Sequence, residues 1–119
     1  MKIRGFEVVS NEFREYPKYN IKLPQRGTKY SAGYDFFCPI NIGITPGKTI
    51  KIKTDIKAYM LNDEYLDINI RSSIAINKHL RIKNIVGIID SDYYSNENND
   101  GNIIIPLKNE SDVDRKSVV

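Results

Sequence analysis

Apolar and polar side chains alternate through the middle of the chain. Every second position from residue 50 to residue 60 carries an apolar group or a methyl group, and charged residues lie between them. The first set is Ile50, Ile52, Thr54, Ile56, Ala58 and Met60, and the charged set is Lys51, Lys53, Asp55 and Lys57. A period of two predicts a pair of strands with one face on a core and the other in water. Residues 66–70 repeat the pattern and predict a further strand.

Turn signals separate these stretches. In residues 45–48 (Thr-Pro-Gly-Lys), proline presets φ and glycine permits a positive φ, which predicts a turn. Residues 62–63 (Asn-Asp) predict a second turn, and residues 96–101 predict a polar loop that ends in a hairpin-type Asp-Gly turn. Residues 103–107 predict a strand covered on both faces, although Pro106 removes a ladder donor. Many short strands between such turns indicate an all-β sandwich or barrel.

One short helix is expected within this β-rich chain. Ser72 or Ser73 is suited to cap a helix through residues 74–80. Two helical turns are marginal in isolation, so tertiary packing would have to stabilise them.

Composition narrows the class of protein. The 119 residues suit one domain, and the single cysteine, Cys38, excludes an internal disulfide, as is typical of the reducing cytoplasm. No apolar run reaches the ~18 residues of a membrane span. The net charge of +3 is scattered along the chain, so neither a membrane nor a nucleic acid is expected as a partner. His79 is the single histidine, and a dedicated zinc site is therefore not expected.

Two segments are candidates for anion binding or for turns. Residues 31–35 (Ser-Ala-Gly-Tyr-Asp) are small residues that lead to Asp35, a pattern that by itself favours a turn before a strand. Residues 70–73 (Ile-Arg-Ser-Ser) place an arginine fork and two hydroxyls at the start of the expected helix. That arrangement suits a phosphate cradle, and it suits equally a serine cap beside an exposed arginine.

A third segment, residues 84–93 (Asn-Ile-Val-Gly-Ile-Ile-Asp-Ser-Asp-Tyr), carries two carboxylates. On an extended chain Asp90 and Asp92 point the same way, where they can bind a divalent cation, or one of them can activate a water. The apolar lead-in would place Asp90 at the edge of a core. Two turn aspartates at the end of a strand explain the segment equally well.

In this order and at these separations, the three segments resemble the first three of the five motifs of the homotrimeric dUTPases. The resemblance covers roughly residues 1–110. It implies a β jelly roll that assembles as a homotrimer with three sites at the subunit interfaces. It also implies hydrolysis of dUTP to dUMP and pyrophosphate, by attack of water on the α-phosphate, with Mg²⁺ held through the triphosphate.

The resemblance implies roles for individual residues. Asp90 would orient and deprotonate the water, and Tyr93 would lie against the deoxyribose and leave no room for a 2′-hydroxyl. Asn84 would read the uracil beside backbone groups of the hairpin at Gly87 and Ile89. The phosphate-binding residues would come from the neighbouring subunit, and they are Arg71, Ser72 and Ser73. Asp35 would support the phosphate and metal end of the site.

The chain departs from the family pattern in its last part. Neither the fourth motif nor the glycine-rich fifth motif is recognisable, so residues 1–119 are expected to form one domain without the family's C-terminal motifs. That departure predicts weak turnover or none. It leaves open a catalytically inactive nucleotide-binding or interaction module on the same fold. A dCTP deaminase is a third reading, but residues 102–107 lack the glutamate that such an enzyme requires.

Overall fold

The structure is a computed structural model that describes residues 3–70, 79–82 and 87–111, together with the backbone of residues 115–116. Within these ranges the chain forms short strands and two 3₁₀ turns, and it contains no α-helix. The strands are β1 (Gly5–Val8), β2 (Gln25–Arg26), β3 (Tyr34–Asp35), β4 (Gly43–Ile44), β5 (Thr49–Lys53), β6 (Ile56–Tyr59), β7 (Tyr65–Ile68), β8 (Leu80–Ile82), β9 (Gly87–Asp90), β10 (Ile104–Asn109) and β11 (Arg115–Lys116). The 3₁₀ turns are η1 (Asn11–Phe13) and η2 (Ser91–Tyr93).

All strand pairings in the described ranges are antiparallel. Strand β10 lies between β5 and β8 in a three-stranded sheet, and the other strands form the pairs β1–β6, β2–β3, β4–β11 and β7–β9. The chain is therefore a set of small sheets around a common core, as the turn and strand signals predicted.

The core is aliphatic. Its buried members are Ile44, Ile52, Ala58, Ile68, Leu80, Ile82, Ile103 and Leu107. Burial of one such leucine or isoleucine side chain stabilises the fold by about 1.5–3 kcal/mol. Phe6 and Phe36 pack against one side of the core. Their rings meet edge to face, with the ring centres 5.4 Å apart. The alternation of residues 50–60 thus identified the buried positions Ile52, Ile56 and Ala58 correctly.

The predicted pairing of the two strands in that stretch is wrong. Strand β5 pairs with β10, and β6 pairs with β1, so the two strands belong to different sheets. The separation occurs at Asp55, which has a φ of 59° and is fully buried, although the alternation placed it on the wet face. A left-handed residue redirects the chain there, and the Asp55 carboxylate is satisfied by hydrogen bonds inside the protein.

The predicted turns are confirmed. Gly47 has a φ of 75°, and the Lys48 amide donates to the Thr45 carbonyl at 3.1 Å. The Glu64 amide donates to the Leu61 carbonyl at 3.0 Å, around the Asn-Asp pair. The apolar run of residues 103–107 continues as strand β10, as predicted, and its side chains are buried or half-buried.

The predicted short helix lies mostly outside the described residues, which exclude residues 71–78. Its predicted end is wrong, because Leu80 begins strand β8 and pairs with Asn109. His79, immediately before it, has a φ of 54° that is incompatible with a continuing helix. No helix in the described part of the chain is long and apolar enough to cross a membrane.

Candidate active site

The β7–β9 pair forms a two-sided ribbon that presents the candidate catalytic residue. Its outer face carries Tyr65 opposite Asp90 and Asp67 opposite Ile88, and all four side chains are exposed. Its inner face carries Ile89 against the core, opposite Leu66, and Gly87 opposite Ile68. A Cβ at Gly87 would lie 3.3 Å from the Ile68 Cβ, so a side chain there would crowd the partner strand.

Asp90 is the last residue of β9, and its carboxylate is exposed. The expectation that it lies at the edge of the core is wrong, because the pleat turns it to the outer face of the ribbon. The expectation that Asp90 and Asp92 point the same way fails for a related reason. The chain leaves the extended conformation at Ser91, where η2 begins, so the two carboxylates do not share a strand face. Asp90 is left with direct access to a solvent water.

Tyr93 ends η2 and is held by two hydrogen bonds at its hydroxyl. The Tyr93 hydroxyl donates to the Asn102 carbonyl at 2.9 Å, and the Asn99 side-chain amide donates to that hydroxyl at 2.7 Å. The half-buried ring also packs against the hydrophobic core. The fold therefore fixes the orientation of this ring three residues after Asp90.

The loop that follows Tyr93 is tied to β1 and β6. The Tyr94 hydroxyl donates to the Glu7 carboxylate, and this hydrogen bond, with burial, raises the pKa of Tyr94. Lys57 contacts Asp100 at 3.1 Å and lies 4.9 Å from the centre of the Tyr94 ring. Burial alone would raise the pKa of Asp100, but the Ser10 amide and Lys57 outweigh it, and the pKa is lowered.

Residues 31–35 line a cavity of about 750 Å³, together with residues 66–70, which belong to β7 and the segment after it. Asp35 is half-buried in β3 opposite Gln25, and Ile70 lines the same cavity. Residues 31–35 and Ile70, the residue before Arg71, therefore line the same cavity.

Within one chain the cavity does not include the candidate catalytic residue. Neither Asp90 nor Tyr93 is among the described residues that line the cavity. Asp90 pairs with Tyr65, and the lining of the cavity begins at the next residue of β7, Leu66. Four predicted site residues, Arg71, Ser72, Ser73 and Asn84, lie outside the described residues.

The residues that hold Tyr93 in place were not predicted from the sequence. Asn99 fell within the predicted polar loop of residues 96–101, Asn102 lay just beyond it, and Asp55 was predicted as a solvated charge. Asparagine side chains bond to nearby backbone in tight turns, so the four asparagines of residues 96–102 were the available signal. The partner of that loop, Asp55, lies too far away in sequence for a local pattern to reveal it.

Comparison with known proteins gives the same family throughout. The sequence model of the dUTPase family matches residues 19–114. The deoxyuridine 5′-triphosphate nucleotidohydrolase of Lactococcus lactis is 42% identical over 112 residues, which are 94% of this chain and 72% of that protein. The fowlpox virus enzyme of the same name is 41% identical over 75 residues, which are 63% of this chain and 50% of that protein.

Solved structures show the same fold. The crystal structure of dUTPase from Streptococcus mutans has a TM-score of 0.81 and 37% identity, and the match covers 95% of this chain and 84% of that one. The structure of Staphylococcus bacteriophage 80alpha dUTPase with dUPNHPP has a TM-score of 0.67 and 27% identity, over 92% of this chain and 56% of that one. These matches confirm the predicted all-β fold, while the trimer stays a prediction. The chain therefore belongs to the dUTPase family and is a dUTP diphosphatase, which hydrolyses dUTP to dUMP and pyrophosphate.

Proposed function

We propose that Asp90 directs a water molecule onto the α-phosphate of dUTP, while Tyr93 forms the wall beside the deoxyribose. The observation that carries this proposal is the pairing of an exposed carboxylate at the end of β9 with an aromatic ring fixed three residues later. A mobile ring could not define the position of the sugar. Both groups lie on one rigid segment, which keeps the attacking water and the sugar in a constant relation.

The reaction then follows from the position of the carboxylate. Asp90 accepts a hydrogen bond from the water and takes its proton as the oxygen attacks the α-phosphorus. The bond from the α-phosphorus to the α,β-bridging oxygen breaks, pyrophosphate leaves with that oxygen, and dUMP remains. Phosphoryl transfer needs little covalent help from a protein, so positioning and charge neutralisation supply most of the acceleration.

In this proposal the magnesium ion is held mainly by the phosphates of the nucleotide. The described residues contain no cluster of three or more histidine, cysteine or acidic side chains suited to a metal ion. Mg²⁺ keeps several waters and is commonly held by substrate phosphates with one or two carboxylates, so it fits a site of this kind. When bound, it neutralises charge on the triphosphate. Asp35, half-buried beside the cavity, is proposed to support this end of the site.

Two further groups of residues are proposed to bind the uracil base and the phosphates. Within the described strands β9 pairs only with β7, so its second edge offers backbone at Gly87 and Ile89 to a uracil, beside Asn84. Arg71, Ser72 and Ser73 are proposed to bind the phosphates of a site on a neighbouring subunit of a homotrimer. The absence of Asp90 and Tyr93 from the described residues that line the cavity supports a site shared between chains.

Pyrophosphate release from dUTP with Mg²⁺ tests the assignment of Asp90. We expect Asp90→Asn to lower kcat by roughly 10²–10⁴-fold, the usual contribution of a general base. Asp92→Asn makes the same chemical change two residues away and should leave kcat within a few-fold. Equal rates for the Asp90→Asn variant and the unsubstituted chain would refute the assignment.

The same assay separates the alternatives that the sequence left open. An inactive binding module would bind a non-hydrolysable imido analogue of dUTP in calorimetry and release no pyrophosphate from dUTP. A dCTP deaminase would convert dCTP to dUTP with release of ammonia. The relatives reported above are dUTP nucleotidohydrolases by name, and they favour pyrophosphate release over deamination.

A further inference from the structure

We propose that Asn99 is a positioning residue that sets how strictly the site excludes ribonucleotides, by holding the Tyr93 ring in place. This inference rests on the proposed role of Tyr93 against the sugar. The Tyr93 ring can exclude a sugar with a 2′-hydroxyl only if the ring is held firmly enough that the hydroxyl cannot push it aside. Asn99 acts through the hydroxyl of Tyr93 and is not assigned any contact with the nucleotide.

The contact between the two side chains is direct. The Asn99 side-chain nitrogen lies 2.7 Å from the Tyr93 hydroxyl oxygen, which in turn donates to the Asn102 carbonyl at 2.9 Å. The hydroxyl is thus bound on both sides, as acceptor and as donor. Without Asn99, the hydroxyl would keep only the Asn102 carbonyl as its partner, and the Tyr93 ring could tilt about that one hydrogen bond.

Asn99 also builds the turn that brings this carbonyl to Tyr93. Its side-chain oxygen accepts from the Gly101 amide at 3.0 Å, and the Asn102 amide donates to its carbonyl at 3.0 Å. Asp100 and Gly101 have φ angles of 57° and 83°, as in a type I′ turn. The turn is closely packed on η2, because a Cβ at Gly101 would lie 2.9 Å from the Tyr93 carbonyl oxygen.

The far side of the turn is fixed to the core. Asn102 is buried, and its side chain exchanges two hydrogen bonds of 2.9 Å with the backbone amide and carboxylate of Asp55. Asp55 is itself fully buried and also accepts from the Glu15 and Tyr16 amides. The acceptor of the Tyr93 hydroxyl is therefore part of the rigid interior, and Asn99 clamps the ring against it.

The test measures sugar discrimination in binding, so it does not depend on turnover. The readout is the ratio of the dissociation constants of two non-hydrolysable imido analogues, one of UTP and one of dUTP. The variants are Asn99→Ala, Tyr93→Phe and their combination. Asn98→Ala is the matched control, since Asn98 is exposed and only its backbone amide forms a hydrogen bond within the described structure.

We expect Asn99→Ala to lower the discrimination ratio roughly three- to tenfold, the equivalent of one hydrogen bond. Tyr93→Phe removes both hydrogen bonds of the hydroxyl and should lower the ratio at least as far. The combined variant should lose little more than the larger single loss, because Tyr93→Phe already removes the hydrogen bond to Asn99. Asn98→Ala should leave the ratio unchanged. An unchanged ratio in Asn99→Ala, or a combined loss equal to the product of the single losses, overturns the proposal.

Two further variants keep the outcome interpretable. Asn99→Ser retains a hydroxyl that can bond within the turn but is too short to reach Tyr93, so it should reproduce the loss if Asn99→Ala proves poorly folded. Tyr93→Ala tests the premise. Full discrimination in Tyr93→Ala would refute the sugar-wall role of Tyr93 in the proposed function, and the inference with it. Lost discrimination in Tyr93→Ala with an unchanged Asn99 variant would refute the inference alone.

Discussion

At the scale of single residues, the most consequential side chain is one that the alternation pattern misplaced. Asp55 occupies a charged position between apolar neighbours, and period two therefore assigns it to solvent. Its burial depends on the amides of Glu15 and Tyr16 and on the side chain of Asn102, which come from distant parts of the chain. Arg14, with its side chain 11% exposed, supplies the counter-charge at 3.4 Å. No local pattern contains these partners.

Removal of this carboxylate should be costly. We expect Asp55→Ala to lower the free energy of unfolding by about 3–5 kcal/mol, because it leaves buried donors without their acceptor and the Arg14 guanidinium without its counter-charge. Urea unfolding monitored by circular dichroism measures the change. Asp67→Ala, at an exposed position of β7, should shift the value by no more than about 0.5 kcal/mol. Similar losses in the two variants would contradict the account.

The carboxylate of Asp100 makes stability depend on pH in the acid range. Its pKa in the fold is lowered despite burial, because the Ser10 amide and Lys57 stabilise the charged form. A lowered pKa contributes stability above the ordinary aspartate value of about 4, and this contribution is lost as pH falls through the lower folded value.

The stability difference between the unsubstituted chain and Asp100→Asn should therefore be largest at neutral pH and shrink below about pH 4. Thermal unfolding at a series of pH values measures it, with Glu97→Gln, an exposed position in the same loop, as the control. A difference that grows on acidification would reverse the predicted sign.

At the scale of elements, the sequence was most informative where one face of a strand meets the core. Alternation identified β5, β6 and β7, and the turn at Gly47 followed from its Pro-Gly pair. Strand partners were not predictable in the same way, because β5 pairs with β10 across a long stretch of chain. The end of the expected helix was also misjudged, since Leu80 pairs with Asn109, and that tertiary contact overrides a weak local preference.

A comparison of two glycines with positive φ distinguishes the cost of backbone strain from the cost of steric crowding. Gly47 and Gly101 have φ angles of 75° and 83°, but a Cβ at Gly47 meets nothing within 4 Å, whereas one at Gly101 would lie 2.8 Å from the Ser95 nitrogen. Gly47→Ala should cost about 1–3 kcal/mol from strain alone. Gly101→Ala should cost clearly more, since backbone atoms must also shift. Equal losses in chemical unfolding would show that the turn does not pack on Tyr93 as described.

At the scale of the whole molecule, the candidate site residues fall into two groups within one chain. Asp35 and Ile70 line the cavity, whereas Asp90 and Tyr93 are not among the described residues that line it. The family resemblance predicted residues in both groups, but neither motifs nor spacing could show that only one group lines the cavity. The division is explained if Arg71 of one chain serves Asp90 of another, which is the central claim of the proposed mechanism.

Mixing of two inactive variants tests that claim most directly. Asp90→Asn and Arg71→Ala are each expected to release little pyrophosphate from dUTP. When the two are unfolded together and refolded as a mixture, an assembly that shares sites between chains contains some sites with both native residues. We therefore predict that the mixture recovers a substantial fraction of the unsubstituted activity, while each variant refolded alone does not. No recovery in mixed assemblies, verified by mass spectrometry to contain both chains, would contradict a site built from two chains.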